Sequence, residues 1–179
     1  MRYKYTDKEI KTLIKSIVIL EDSNEQENSH IIDFFEKKKL KYKRKKLNFG
    51  DYSFFLPENK ELGIERDIYF DDEICVERKN SLSEIAGNFG KGRKQFENEL
   101  IRKKDCKMFL MIEDGSWEKI NAKLYRADYT VESFLATLYV FIARYNISVD
   151  FISKELAGQF IYSMFYYYIR EYLKNYKGE

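Results

Sequence analysis

Glu77, Arg78 and Lys79 stand at the end of the apolar run Ile74-Cys75-Val76, with Gly50-Asp51 upstream of them. A strand sends alternate side chains to opposite faces, so Glu77 and Lys79 project to one side and Arg78 to the other. A carboxylate and an ammonium then share one site. With Asp51 at the end of a neighbouring strand, Asp51 and Glu77 can meet around a divalent cation, and Lys79 can polarise or deprotonate a water beside it. That is equipment for metal-dependent hydrolysis of a phosphodiester. In a chain that is 35% charged, the same triplet also reads as a solvated strand end. The chain contains its own control: Glu65-Arg66-Asp67 after Ile64 has Asp where the other triplet has Lys. It follows Pro57 and Gly63, in a stretch that reads as loop or hairpin.

The elements that must position these residues alternate between strand and helix patterns. Thr6-Asp7-Lys8-Glu9 is a capping box ahead of Ile10, Leu13 and Ile14, which predicts a short amphipathic helix. A strand over 17–20, a helix over 29–38 and two strands flanking Gly50 follow. Ser81 with Glu84 forms a second capping box directly after the Glu77 strand, opening a helix that carries Leu82, Ile85, Ala86 and Phe89. Gly90, Lys91, Gly92 and Arg93 interrupt it before Phe96 and Leu100 resume the spacing. Two glycines beside two cations make either a plain kink or a backbone turn near a phosphate. The apolar run Met108-Phe109-Leu110-Met111-Ile112 predicts a strand buried on both faces, and Glu113-Asp114-Gly115 a turn before a helix at Trp117. A helix over 131–145, a strand over 149–153 and a final aromatic helix over about 155–174 complete an α/β chain.

Three of these segments together resemble a known family. Asp22-Ser23-Asn24-Glu25, then Gly50-Asp51-Tyr52, then Glu77-Arg78-Lys79 are similar, in order and in strand context, to the motifs of the XPF-type structure-specific endonuclease domains of the PD-(D/E)XK nuclease superfamily. The resemblance implies a restriction-endonuclease-like fold: a mixed central sheet flanked by helices, as a single domain over 1–179 with its core over about 16–155. It implies Asp51 and Glu77 as ligands of Mg²⁺ or Mn²⁺, Lys79 as the catalytic amine, and Arg78, Asp22 and Glu25 as further residues of the site. It also makes Arg93 and Gln95, with Lys91 beside them, candidates for DNA contact. Two departures stand out. Asn24 occupies the position where the family has Arg, and 26 positions separate Asp51 from Glu77, a gap that an inserted hairpin over roughly 57–72 would fill. The implied activity is endonucleolytic cleavage of branched or single-strand/double-strand junction DNA. The alternatives are a catalytically silent DNA-binding scaffold or an interaction protein of a phage or mobile element; the retained Asp51, Glu77 and Lys79 favour the enzyme.

Composition limits the other possibilities. With 44% hydrophobic residues the chain can build one full core. No Gly-rich pair suggests a helix-hairpin-helix unit. Cys75 and Cys106 are too few for a zinc or disulfide framework and read as packing residues. His30, the only histidine, lies among Ile31, Ile32 and Phe34, which leaves Ser/His/Asp hydrolysis without a base. No apolar run is long enough to span a membrane, and the chain reads as cytoplasmic, of bacterial or phage origin. The 32 basic and 30 acidic residues nearly cancel, so distribution matters more than the net +2. The 37–46 strip, with Lys43 and Arg44, is either a solubilising edge or a phosphate contact. The last helix carries Phe160, Ile161, Phe165, Tyr168 and Tyr172 along one stripe and Tyr162, Tyr166 and Tyr167 outside it. That surface is wider than one core-facing stripe needs; it reads either as a large, wholly internal core helix or as a homodimer interface, and the dimer is the expectation.

Overall fold

The first capping box closes as its spacing predicts: Glu9 N donates to Thr6 Oγ1 at 3.3 Å while Thr6 N donates to Glu9 Oε2 at 2.8 Å. It opens α1 (Asp7–Ser16), whose Ile10, Leu13 and Ile14 are buried. The computed structural model describes residues 4–175, so 1–3 and 176–179 of the expected domain span lie outside the described residues. After α1 come β1 (Val18–Glu21), α2 (Ser29–Lys37), β2 (Lys41–Arg44), β3 (Tyr52–Leu56), β4 (Ile68–Tyr69) and β5 (Ile74–Lys79). Then follow α3 (Leu82–Phe89), α4 (Arg93–Arg102), β6 (Lys107–Glu113), α5 (Trp117–Asn121), α6 (Val131–Tyr145), β7 (Ile147–Ile152) and α7 (Ala157–Asn175). β7 begins two residues earlier than the pattern suggests because Asn146, at φ 49°, ends α6 in a single left-handed residue.

One mixed sheet of seven strands runs β2-β1-β3-β5-β6-β7, with β4 paired to β3. β5, β6 and β7 are parallel, and β3 is antiparallel to both β1 and β5. The inserted segment expected over 57–72 is a 3₁₀ turn, Lys60–Leu62, followed by β4, which pairs Phe55 with Tyr69. Helices cover both faces, and strand alternation divides the core between them. Ile74 and Val76 face the layer of α1, α2 and α7, whereas Cys75 faces the layer of α3, α4, α5 and α6.

The aromatic helix α7 is chiefly a core element. Ile161, Phe165, Ile169 and Leu173 are fully buried, and Phe160, Tyr162, Tyr166 and Tyr168 pack partly on the same cluster. Phe165 lies 5.2 Å from Phe54, which stacks on Phe70 at 4.7 Å. Each fully buried side chain of this size contributes roughly 1.5–3 kcal/mol. The stripe is wide because α7 closes over α1, α2 and β3 together. Of the tyrosines expected on a subunit boundary, Tyr167 and Tyr172 are the ones left substantially exposed. No helix among the described residues is long and apolar enough to cross a membrane.

Candidate active site

The end of β5 presents its charged side chains to both faces of the sheet. On the α3/α4 side, Lys79 Nζ donates to Glu77 Oε1 at 2.7 Å and lies 3.7 Å from Glu84 Oε1. Glu84 is the residue that completes the cap of α3: its amide donates to Ser81 Oγ at 3.2 Å, and its carboxylate accepts from Asn80 N at 2.9 Å. The helix following the triplet therefore also helps to hold the lysine.

Asp51 reaches the same place from the opposite chain direction. It stands at the start of β3 rather than at the end of a strand, and antiparallel pairing of Tyr52 with Val76 brings that start to the end of β5. Asp51 N donates to Val76 O at 2.9 Å, and Arg78 N donates to Asp51 Oδ2 at 2.7 Å. The approach depends on Gly50, which adopts φ +70° and passes so close to β5 that a Cβ there would lie 2.8 Å from Cys75 Cβ.

These groups line a cleft of about 650 Å³ between the 46–51 loop and α4. Asp22 and Asn24 join it on one side, Gln95, Glu99 and Arg102 on the other, with Lys46 at the rim. Arg102 Nε donates to Asn48 O at 3.2 Å, tying the end of α4 to the loop opposite. Burial first, and then repulsion from Glu77 and Glu25, pushes the Asp51 carboxyl well above the usual carboxylate range. Burial works against the Lys79 ammonium, but attraction to Glu77 and Asp51 outweighs it and raises its pKa above the ordinary lysine value. The charged ammonium form of Lys79 is thereby favoured. Burial and then Glu77 likewise raise Glu99.

The donor set suits a hard divalent cation. Asp51 and Glu77 each have one oxygen in a protein hydrogen bond and one outside it. Crowded carboxylates in a poorly solvated cleft are what a cation would relieve. Among the described residues no group of three or more His, Cys, Asp and Glu side chains is disposed to hold a metal. The candidate is a two-carboxylate site whose remaining ligands would be water and substrate oxygens, a common arrangement for Mg²⁺.

On the other face, Arg78 donates to Glu113 through Nε at 2.8 Å and Nη2 at 3.0 Å, and to Glu25 Oε1 through Nη1 at 2.6 Å. Glu113, fully buried, is the residue the sequence reading missed by assigning it to a turn. The parallel register that sets Lys79 opposite Ile112 leaves Glu113 one residue beyond, on the face of Arg78. That signal appears only once the register is known. Asp22 accepts from Asn24 N and Leu47 N at 2.7 and 2.6 Å, so its carboxylate braces two loops of the cleft.

The expected DNA contacts separate. Gln95 lines the cleft, but Lys91 borders a different depression with Asp128 and Tyr129, and Arg93 lies over the Phe141 ring at 5.5 Å. Arg44 is held by Glu21 through Nε at 3.1 Å and Nη2 at 3.0 Å, while Lys43 is exposed on the edge strand β2. Lys46, the last residue of the basic strip, lines the cleft, and Glu99 and Arg102 are cleft residues that spacing did not single out.

The model of the ERCC4 domain matches residues 22–164. Among solved structures, XPF from Aeropyrum pernix superposes with a TM-score of 0.60 at 20% identity, over 86% of this chain and 65% of that one. XPF from Aeropyrum pernix in complex with DNA gives 0.59 at 20% identity, over 86% and 66%. The likeness is one of fold, and the chain spans slightly under two thirds of each of those proteins. No curated protein matches the sequence significantly.

Proposed function

The chain belongs to the ERCC4 domain family, and from that premise we propose that it is a divalent-metal-dependent endonuclease acting on branched or junction DNA. The observation that supports this most is the meeting of Asp51, Glu77 and Lys79 in one cleft, delivered by strands of opposite direction. Mg²⁺ or Mn²⁺, held by Asp51 and Glu77, would neutralise charge developing on the scissile phosphate. Lys79 hydrogen-bonds and polarises the attacking water from the side of Glu77. Gln95, Arg102 and Lys46 hold the strand, and Asp22 and Arg78 keep the loops in place. On this reading the protein works in the cytoplasm. A homodimer through α7 would centre on Tyr167 and Tyr172.

A panel of labelled duplex, flap, fork, bubble and four-way junction tests the proposal. Cleavage of at least one branched substrate with Mg²⁺ or Mn²⁺, abolished by chelator, is the expected result. Cleavage undiminished by chelator overturns the metal, and binding without cleavage under any metal supports the silent scaffold.

DNA affinity should fall with salt. Lys46→Gln, Arg102→Gln and Lys43→Gln should each flatten the log-log salt dependence by about one unit if each cation meets one phosphate. An unchanged slope in all three variants removes these residues from the interface.

A further inference from the structure

Arg78 ties the end of β5 to the loop before α2, which is also held at Glu25 by Arg44 Nη2 (to the main-chain O, 2.9 Å) and by Tyr52 Oη (to Oε1, 3.4 Å), and at Asp22 by its amide bond to Asp51 O (2.7 Å). Residues 22–27 connect β1 to α2; Ser23, Asn24, Gln26 and Glu27 are exposed, and Glu27 adopts φ 54° without being glycine. The Arg78 guanidinium reaches this loop three times: at Glu25 Oε1 (2.6 Å), at Gln26 O (3.3 Å) and at Glu27 O (3.3 Å). A guanidinium is a rigid planar fork, so whatever fixes two of its donors aims the rest. Glu113 does so from β6 by the two-pronged contact through Nε and Nη2. His30, at the start of α2, adds a hydrogen bond from Nε2 to Glu113 Oε1 at 2.7 Å. Its buried Nδ1 has no partner, which makes the contact with Glu113 the ring's one hydrogen bond.

We propose that Glu113 and His30 are positioning residues for cleavage, holding Arg78 so that it anchors the 22–27 loop beside Asp51 and Glu77. The inference rests on the nuclease reading for its catalytic consequence but not for the anchoring itself. Neither residue lines the cleft, so neither touches substrate. Both act through Arg78, whose main-chain amide also orients Asp51. Supporting residues of this kind typically contribute 10- to 100-fold.

Glu113→Gln retains shape and one acceptor but loses the charge and one prong. It should lower kcat about 10- to 100-fold with the KM for a cleaved flap or fork within about twofold. Hydrogen exchange should accelerate at the amides of 22–28 while other segments keep their protection. His30→Leu should show the same two changes more weakly, and His30→Gln, which can still donate, should restore both. An active wild type whose Glu113→Gln variant keeps its kcat and loop exchange refutes the anchoring alone. An inactive wild type whose loop is loosened by Glu113→Gln refutes the nuclease reading and upholds the anchoring. If Glu113→Gln unfolds, His30→Leu, which leaves the Arg78–Glu113 contact in place, decides by the same two readouts.

Discussion

Glu77→Gln is expected to lower metal-dependent DNA cleavage by about three orders of magnitude or more, while Glu65→Ala leaves it unchanged. The two residues open similar triplets, but Glu65 is exposed in the inserted segment whereas Glu77 is buried against Lys79 in the cleft. Gln is preferred to Ala at position 77 because the pair is buried. Removing one partner of such a pair costs about 3–5 kcal/mol by stranding the other, and Gln can still accept from Lys79. The thermal midpoint of Glu77→Gln without metal should therefore stay near that of the wild type. Lys79→Ala should be as inactive but also less stable, since it leaves Glu77 and Asp51 facing each other uncompensated. Cleavage assays with melting curves check both expectations. Equal losses at Glu65 and Glu77 would overturn the choice of triplet.

The difference between the triplets was legible because it lay in local pattern. The strand ending in Glu77-Arg78-Lys79, the capping boxes at Thr6 and Ser81 and the break between α3 and α4 all depend on residues within a few positions of one another. Strand alternation likewise separated Arg78 from Glu77 and Lys79 before any pairing was known. What local pattern could not supply was register. Glu113 belongs to the Arg78 network only because β6 is parallel to β5 with Ile112 opposite Lys79. Glu99 and Arg102 reach the cleft only because α4 crosses the 46–51 loop. The basic strip divides for a related reason: Glu21 lies opposite Arg44 in the β1–β2 pairing and takes its guanidinium, while Lys46, at the end of the strip, lines the cleft. The aromatic surplus of α7 was visible as a count of rings, but its destination depended on three elements from the first third of the chain closing beneath it.

Gly50→Ala is expected to lower stability by about 2–5 kcal/mol and to reduce cleavage with it. A non-glycine residue at φ +70° carries about 1–2 kcal/mol of backbone strain. The added methyl would lie 2.8 Å from Cys75 Cβ and 2.9 Å from its Sγ, a collision with the middle of a central strand. Overpacking of this kind costs about 1–3 kcal/mol. To escape it, the 49–51 segment must move off β5. That lengthens the bonds from Asp51 N to Val76 O and from Arg78 N to Asp51 Oδ2, which define where Asp51 sits relative to Glu77. The two contributions separate in a double-mutant cycle with Cys75→Gly, which removes the side chain being struck but leaves the dihedral unchanged. Chemical denaturation of the four proteins should show the pair coupled by about 1–3 kcal/mol, with the double variant more stable than the sum of the single losses. Its cleavage should recover in step, since Asp51 could again lie against β5. Strict additivity would mean that Gly50 serves the turn alone and that its contact with β5 does not set the position of Asp51.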